Sequence, residues 1–246
     1  MDEDPQSDLS FLEELLNNPS VLHPDEARFD LTVNDLTIIP EHFLEAQCSK
    51  LYIEFLTNIN GNDLELLDTD DEVNTHASLK VDFVEPVGEY MGFKATMELE
   101  LAGARPRDGS LIVKLLPYFG TSISSIRSFS FGLRGSVTML QIIDAMTSES
   151  LEHFRFGFDP DGDFCGCRDF TVQAIYQLRV RGYVDPGVQA VYSREPEIRD
   201  GLTAYDVLAM RFSYGGRPFE CPVDKGEFLI YERVEEPYMK YRADDD

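Results

Sequence analysis

The chain has 246 residues, of which 43% are hydrophobic, and its formal net charge is −25. This length and apolar content suffice for one large domain with its own core, and four scattered cysteines are too few for a disulfide framework. The negative charge repels phosphate backbones and anionic lipid headgroups, which disfavours direct binding to nucleic acid or to membranes.

Most of the excess negative charge lies in the first third of the chain. Residues 1–80 carry 19 acidic and 3 basic side chains, a balance of −16. This distribution predicts either an acidic surface that binds a basic protein partner or a face that only keeps the protein in solution. The start MDEDPQSDL lacks the features of a signal peptide, and no apolar run approaches the roughly 20 residues that cross a bilayer. We expect a cytoplasmic or nuclear location.

Residues 1–30 are predicted to form an acidic arm. Ser10 and Glu13 have capping-box spacing at the start of a short amphipathic helix, which is too short to be stable alone. Its apolar face consists of Leu9, Leu12, Leu15 and Leu16. Residues 31–240 are predicted to form a single domain, and residues 241–246 an acidic tail.

The domain alternates between strand-like and helix-like patterns. Strands are predicted at 51–56 and 78–87, and a hairpin at 94–101 and 111–118. Ser136 is the predicted N-cap of a helix over 136–148, and Gly182 ends a stronger helix over 168–182. The other predicted elements are strands at 153–158, 188–192 and 228–234 and a helix at 202–210. This order predicts an α+β fold, an antiparallel sheet packed with a few helices.

The stretch FDPDGDFCGCRDF, residues 158–170, has three interpretations. As a calcium loop counted from Asp159, it has Phe164 where an EF-hand needs glycine and Phe170 where it needs glutamate. The EF-hand fails, although another oxygen site at Asp159, Asp161 and Asp163 stays open. A zinc site would need two ligands besides Cys165 and Cys167, drawn from Cys48, Cys221 or His153, and no second pair has finger-like spacing. We therefore assign no metal and no cofactor.

The third interpretation is a reactive thiol at Cys167. This cysteine directly precedes the strongest predicted helix, so free N–H groups, the helix dipole and the neighbouring Arg168 would stabilise its thiolate. Gly166 would permit a sharp turn from strand to helix. The candidate base is His153, which begins the strand leading to the turn, or His76. The candidate catalytic residues are Cys167, His153 and Arg168.

Several motifs over roughly residues 50–185 resemble an uncharacterised fungal domain family. They are TMELEL, GSLIVKLLPY, SVTMLQIIDAM, HFRFGFDPDG and GCRDFTVQAIYQLRVRGYV, of which the Gly-Cys-Arg element is the most specific. The layout is also similar to the papain-like NlpC/P60 superfamily, in which a cysteine at a helix start faces a histidine on a strand. The resemblance therefore implies a papain-like core. The family pattern places a His-Trp pair near residues 88–99, but this chain has Glu89, Tyr90 and Met91 there and no tryptophan.

The absent His-Trp pair and the acidic first third favour a non-catalytic, degenerate papain-like scaffold that binds a partner through its acidic surface. One alternative is a thiol-dependent hydrolase or acyltransferase in which Cys167 attacks an amide or thioester. A second is a cyclase-like enzyme of secondary metabolism with a small-molecule pocket lined by some of the 17 phenylalanines and 11 tyrosines. The expected partner is a basic protein surface or a small-molecule ligand.

Overall fold

A computed structural model describes residues 27–57, 75–99, 107–122, 125–159, 162, 164–192, 202–211 and 219–241. The predicted helix at residues 7–18 lies outside the described residues, as do Asp161, Asp163 and residues 242–246 of the predicted tail. The last residues of the predicted arm, Arg28–Asp30, form an edge strand of the sheet.

The described residues contain thirteen strands. They are β1 (Arg28–Asp30), β2 (Gln47–Thr57), β3 (Thr75–Val87), β4 (Tyr90–Leu99), β5 (Gly109–Leu116), β6 (Ser125–Thr138), β7 (Phe154–Arg155), β8 (Gly157–Phe158), β9 (Phe164–Cys165), β10 (Val184–Tyr192), β11 (Met210–Arg211), β12 (Phe219–Glu220) and β13 (Glu227–Phe228).

Seven of these strands form one antiparallel sheet in the order β1-β5-β4-β3-β2-β6-β10. The predicted hairpin is confirmed, because β4 pairs with β5 in register and Lys94 lies opposite Lys114. The other strands form two-stranded pairs, namely β7 with β13, β8 with β9 and β11 with β12. The sheet and its helices confirm the α+β class.

Four α-helices lie among the described residues. They are α1 (Glu41–Leu44), α2 (Met139–Thr147), α3 (Cys167–Val180) and α4 (Ala204–Leu208), and two 3-10 helices cover Leu36–Ile38 and Glu236–Tyr241. None of the helices in this part of the chain combines the length and apolarity that a bilayer span requires.

Three local predictions need correction, and one is the strand at 228–234, since β13 ends at Phe228. Ser136 is not the N-cap of α2, because β6 continues to Thr138, which caps the helix through a reciprocal box with Gln141. Pairing with β2 holds these residues extended, since Thr138 lies opposite Gln47. The predicted strand at 153–158 is two short strands with different partners, and Phe158 is 54% exposed.

The two faces of the large sheet differ in chemistry. One face is apolar and shares a continuous core with α2, α3 and α4. The other face carries buried polar side chains at alternate strand positions, which follow from the period of two in a strand. They are Tyr52, Glu54, Ser78, Lys80, Asp82, Thr96, Ser128 and Ser130.

The connection from β5 to β6 crosses the polar face. These two strands run in the same direction and are separated by β4, β3 and β2. Along residues 117–122, the Gly120 N–H lies 3.0 Å from an Asp82 carboxylate oxygen. The Ser122 N–H and hydroxyl each lie 2.6 Å from Glu54. Buried carboxylates on the sheet thus hold this crossover loop through its hydrogen-bond donors.

Candidate active site

The candidate site lies where β3 and β4 separate. Their pairing begins at Val87–Tyr90 and runs regularly from Asp82–Gly92 to Leu79–Ala95. Beyond that point, Thr75–Ser78 pair with β2 and Thr96–Leu99 pair with β5, and no partners join β3 to β4 among the described residues. Helix α3 packs on both strands here, and the Ala77 N–H donates to the Cys167 sulfur. The helix start therefore fills the gap in the sheet.

The Cys167 thiol lies next to the imidazole of His76 on β3, close enough for each group to shift the pKa of the other by its charge and by hydrogen bonding. Thr96 on β4 approaches the same ring from across the gap, with its hydroxyl 2.5 Å from His76 Nε2. Cys167, His76 and Thr96 thus form a continuous chain of contacts. In the imidazolium form, Nε2–H donates to the Thr96 hydroxyl and the ring orientation is held from both sides.

Electrostatics favour the ionised form of the Cys167–His76 pair. Burial is the largest single influence on the Cys167 thiol and raises its pKa, and the charge and hydrogen bonding of His76 are the next largest and lower it. The Ala77 N–H and the Arg168 charge act in the same direction, so the pKa lies below its ordinary value. Burial lowers the pKa of His76, but the Cys167 charge and then the Glu98 charge raise it above its ordinary value. The two shifts have opposite signs, as expected for a thiolate–imidazolium pair.

Gly166 determines how closely the helix start approaches its neighbours. Its φ of 124° lies in a region that L side chains rarely adopt, and an added Cβ would lie 2.9 Å from Phe154 Cζ and 3.1 Å from Gly226 Cα. It is the N-cap of α3 and has no side chain to cap the first-turn N–H groups. Glycine here places Cys167 in the gap and leaves those donors available.

Arg168 anchors the C-terminal part of the chain to the helix start. Its guanidinium is 2.6 Å from Asp224 and donates to the carbonyls of Leu208 and Pro222 at 3.2 and 3.3 Å. Its side chain is 7% exposed. The predicted catalytic residue Arg168 therefore has structural partners, and its influence on Cys167 is that of a nearby charge.

Asp169 has a comparable anchoring role. This fully buried carboxylate accepts hydrogen bonds from the Gly226 N–H at 3.0 Å, from Arg233 at 2.7 Å and from the Tyr238 hydroxyl. The family resemblance leads one to expect an aromatic residue at this position. An aspartate is accommodated at this position because its hydrogen-bond partners come from the C-terminal segment that Arg168 also anchors.

The structure brings His76, rather than His153, to Cys167. The His153 side chain is 38% exposed, and its Nε2 lies 3.6 Å from Glu152. Cys165 lies in β9, where burial and then the charges of Asp224 and Asp159 raise its pKa to about 11. Within the described ranges, no three His, Cys, Asp or Glu side chains gather as metal ligands.

From the sequence, His76 is predicted only as an alternative base, and Thr96 is not singled out. The alternation in KATMELEL does place Lys94, Thr96 and Glu98 on one face of a strand. The alternation does not predict which residues contact that face, because His76 and Cys167 are far apart in the chain.

Residues 93–229 match the model of a protein family, the domain of unknown function DUF7770. Because the match covers more than half of the chain, the protein belongs to this family. This confirms the prediction of an uncharacterised domain family. The matched segment includes Thr96, Gly166, Cys167 and Arg168, whereas His76 precedes it. No curated protein and no solved structure matches the chain.

Proposed function

We propose that this protein is a thiol-dependent acyl-transfer enzyme, a hydrolase or acyltransferase, with Cys167 as nucleophile and His76 as base. The observation that carries the proposal is the juxtaposition of the Cys167 thiol, the His76 imidazole and the Thr96 hydroxyl at the start of α3. A nucleophilic cysteine needs a lowered pKa and an adjacent base that a third group orients. His76 is the adjacent base, and Thr96 is the orienting group.

The reaction would begin with a bond between the Cys167 sulfur and the carbonyl carbon of an amide or thioester, as the carbonyl electron pair moves to oxygen. Uncapped N–H groups in the first turn of α3 are suited to donate to that oxyanion. Collapse of the intermediate would expel the amine or thiol, which takes the proton of the His76 imidazolium. Water or another acceptor would then give its proton to His76, attack the acyl carbon and release the Cys167 thiolate.

The papain-like resemblance supports the same proposal. Its defining arrangement is a helix-start cysteine that faces a strand histidine, and His76 on β3 has that relation to Cys167. The histidine missing from residues 88–99 was the main argument for a non-catalytic scaffold, and the neighbouring strand carries one. The scaffold, the cyclase-like enzyme and the cytoplasmic or nuclear location stay predictions.

The test is the rate of Cys167 alkylation by iodoacetamide as a function of pH, followed by peptide mass spectrometry on the native protein. Because the Cys167 pKa is lowered, its rate should rise at a pH below the ordinary thiol value of 9.0. His76→Gln should slow the reaction at pH 7 by about ten- to a hundredfold, since each unit of pKa changes the thiolate fraction about tenfold.

The matched control is His153→Gln, which removes the more exposed histidine and should leave the Cys167 profile unchanged. The proposal is wrong if Cys167 titrates like Cys165, or if His76→Gln and His153→Gln have the same effect. A Cys167 profile that responds to His153 alone would restore the base that sequence analysis preferred.

A further inference from the structure

Four of the six lysines in the chain lie on the polar face of the sheet. Lys114 on β5 is opposite Lys94 on β4, and Lys94 is opposite Lys80 on β3. Lys50 on β2 is opposite Asp82, two positions further along β3. Residues directly opposite in an antiparallel pair share a face, so these lysines form a row across four neighbouring strands.

The carboxylates of this face already have partners. Glu54 accepts two hydrogen bonds from Ser122, and Asp82 binds Lys80, Tyr52 and the Gly120 N–H. Glu98 pairs with Arg28 at 2.7 Å. Most carboxylates of this face are therefore already bound to the crossover loop or to other cations.

Lys80 is the fully paired lysine of the row, and the two on β4 and β5, Lys94 and Lys114, are less fully paired. Lys94 lies 3.7 Å from Glu54 and keeps 15% of its side chain exposed. Lys114 is partly exposed and makes no ion pair with the residues that the structure describes. Burial lowers the pKa of Lys94, the Glu54 charge opposes this shift, and the like charges of Lys114 and Lys80 lower the pKa further. A bound anion would relieve this repulsion.

These lysines are next to the candidate active site. Lys94 is two residues from Thr96 on the same face of β4, and the charge of Lys94 acts on the pKa of His76. The polar face therefore runs from the Cys167–His76 pair through Thr96 to Lys94 and Lys114. Lys94 and Lys114 thus place positive charge near the pair, alongside Glu98, in a chain whose net charge is −25.

We infer that the acyl substrate carries an anionic group, a carboxylate or a phosphate, which binds at Lys94 and Lys114 while its carbonyl faces Cys167. This inference rests on the proposed function and adds the substrate class. Lys80 already binds buried partners, so its role is to support the polar face. The anion contacts the two lysines on β4 and β5, Lys94 and Lys114.

The test compares iodoacetate with iodoacetamide, two reagents of similar size that differ in charge. In each reaction the Cys167 sulfur forms a bond to carbon and iodide leaves. At low ionic strength we expect the iodoacetate-to-iodoacetamide rate ratio to be higher at Cys167 than at Cys165 in the same chain. Added salt should reduce this preference, since exposed charges are screened over about 10 Å at 0.1 M.

Lys114→Met and Lys94→Met should each reduce the ratio at Cys167 by about threefold, as expected for loss of one nearby charge in a medium of intermediate dielectric. The matched control, Lys50→Met, lies six residues further along the sheet than His76, about 20 Å at 3.3 Å per residue. It should leave the ratio unchanged. Using the ratio removes any effect of the variants on thiolate formation, because both reagents need the thiolate.

Inorganic phosphate and acetate at equal ionic strength then distinguish the two anion types, since the better ligand should protect Cys167 more strongly. A Cys167 that reacts rapidly with iodoacetamide but shows no preference for iodoacetate overturns the inference and leaves the proposed function intact. A Cys167 no more reactive than Cys165 with either reagent overturns both.

Discussion

Cys165 and Cys167 are separated by one glycine, yet their surroundings shift their pKa values in opposite directions. Cys165 lies in β9, where burial and two nearby carboxylates raise its pKa to about 11. Cys167 begins α3, where His76 and the Ala77 N–H lower the pKa despite burial. The Cys-Gly-Cys spacing therefore does not make an equivalent pair. The reactivity of each thiol therefore depends on the groups of the neighbouring elements that surround its sulfur atom.

The largest expected change to this contrast comes from Gly166→Ala. An added Cβ would lie 2.9 Å from Phe154, and the φ of 124° disfavours any L side chain. We expect a loss of about 2–4 kcal/mol in the free energy of unfolding, measured by urea denaturation, from strain and displaced neighbours. The alkylation rate of Cys167 relative to that of Cys165 should also fall, because the helix start moves.

Gly182→Ala is the matched control for Gly166→Ala. Gly182 also has a positive φ, 75°, but an added Cβ meets nothing within 4 Å. We expect it to cost only about 1 kcal/mol, the penalty of the left-handed conformation alone. Equal destabilisation by the two substitutions would contradict the close packing around Gly166.

A smaller change is expected from Thr96→Val. Valine has nearly the shape of threonine but cannot hydrogen-bond to His76 Nε2, so the imidazolium loses an acceptor. Cys167 alkylation at pH 7 should slow by about two- to fivefold, and its inflection should move to higher pH. Thr171→Val is the control, because that hydroxyl donates to the Cys167 carbonyl at 2.9 Å. If both variants slow the reaction equally, Thr96 does not orient the histidine.

The smallest change should come from Asp159→Asn, which acts on the other cysteine. The Asp159 charge contributes to the raised pKa of Cys165 behind burial and Asp224. Its removal should lower that pKa and speed Cys165 alkylation by about twofold or less, with no change at Cys167. Competitive alkylation of both cysteines in one sample measures the difference. A response at Cys167 would mean that the two thiols share their electrostatic environment.

Much of the fold was predictable because local chemistry and tertiary packing agree. The alternation in KATMELEL and the turn before LIVKLLPY identified the β4–β5 hairpin. The apolar face and Gly182 identified α3 almost to its ends. The start of α2 was predicted at the wrong residue because pairing of β6 with β2 extends the strand past Ser136. Sheet pairing there outweighed the local capping preference.

The site was only partly predictable. Gly166, Cys167 and Arg168 were identified because a glycine before a cysteine at a helix start is a local signal. His76 was one of two candidate bases, since the sequence shows no contact between residues 91 positions apart. Arg168 was named a candidate catalytic residue as a cation next to Cys167, and its buried ion pair with Asp224 is not visible in the sequence.

The sequence by itself determined the α+β class, the strong helix after Gly166 and the concentration of acidic residues in the first third, because each depends on periodicity, capping or composition. Only the tertiary structure decided that β3 and β4 separate, that Cys167 enters the gap, and that His76 and Thr96 meet there. It also decided that four lysines share one face of an acidic protein. The physical reason is that reactivity and charge recognition depend on distances between side chains from different strands, which strand order and register determine.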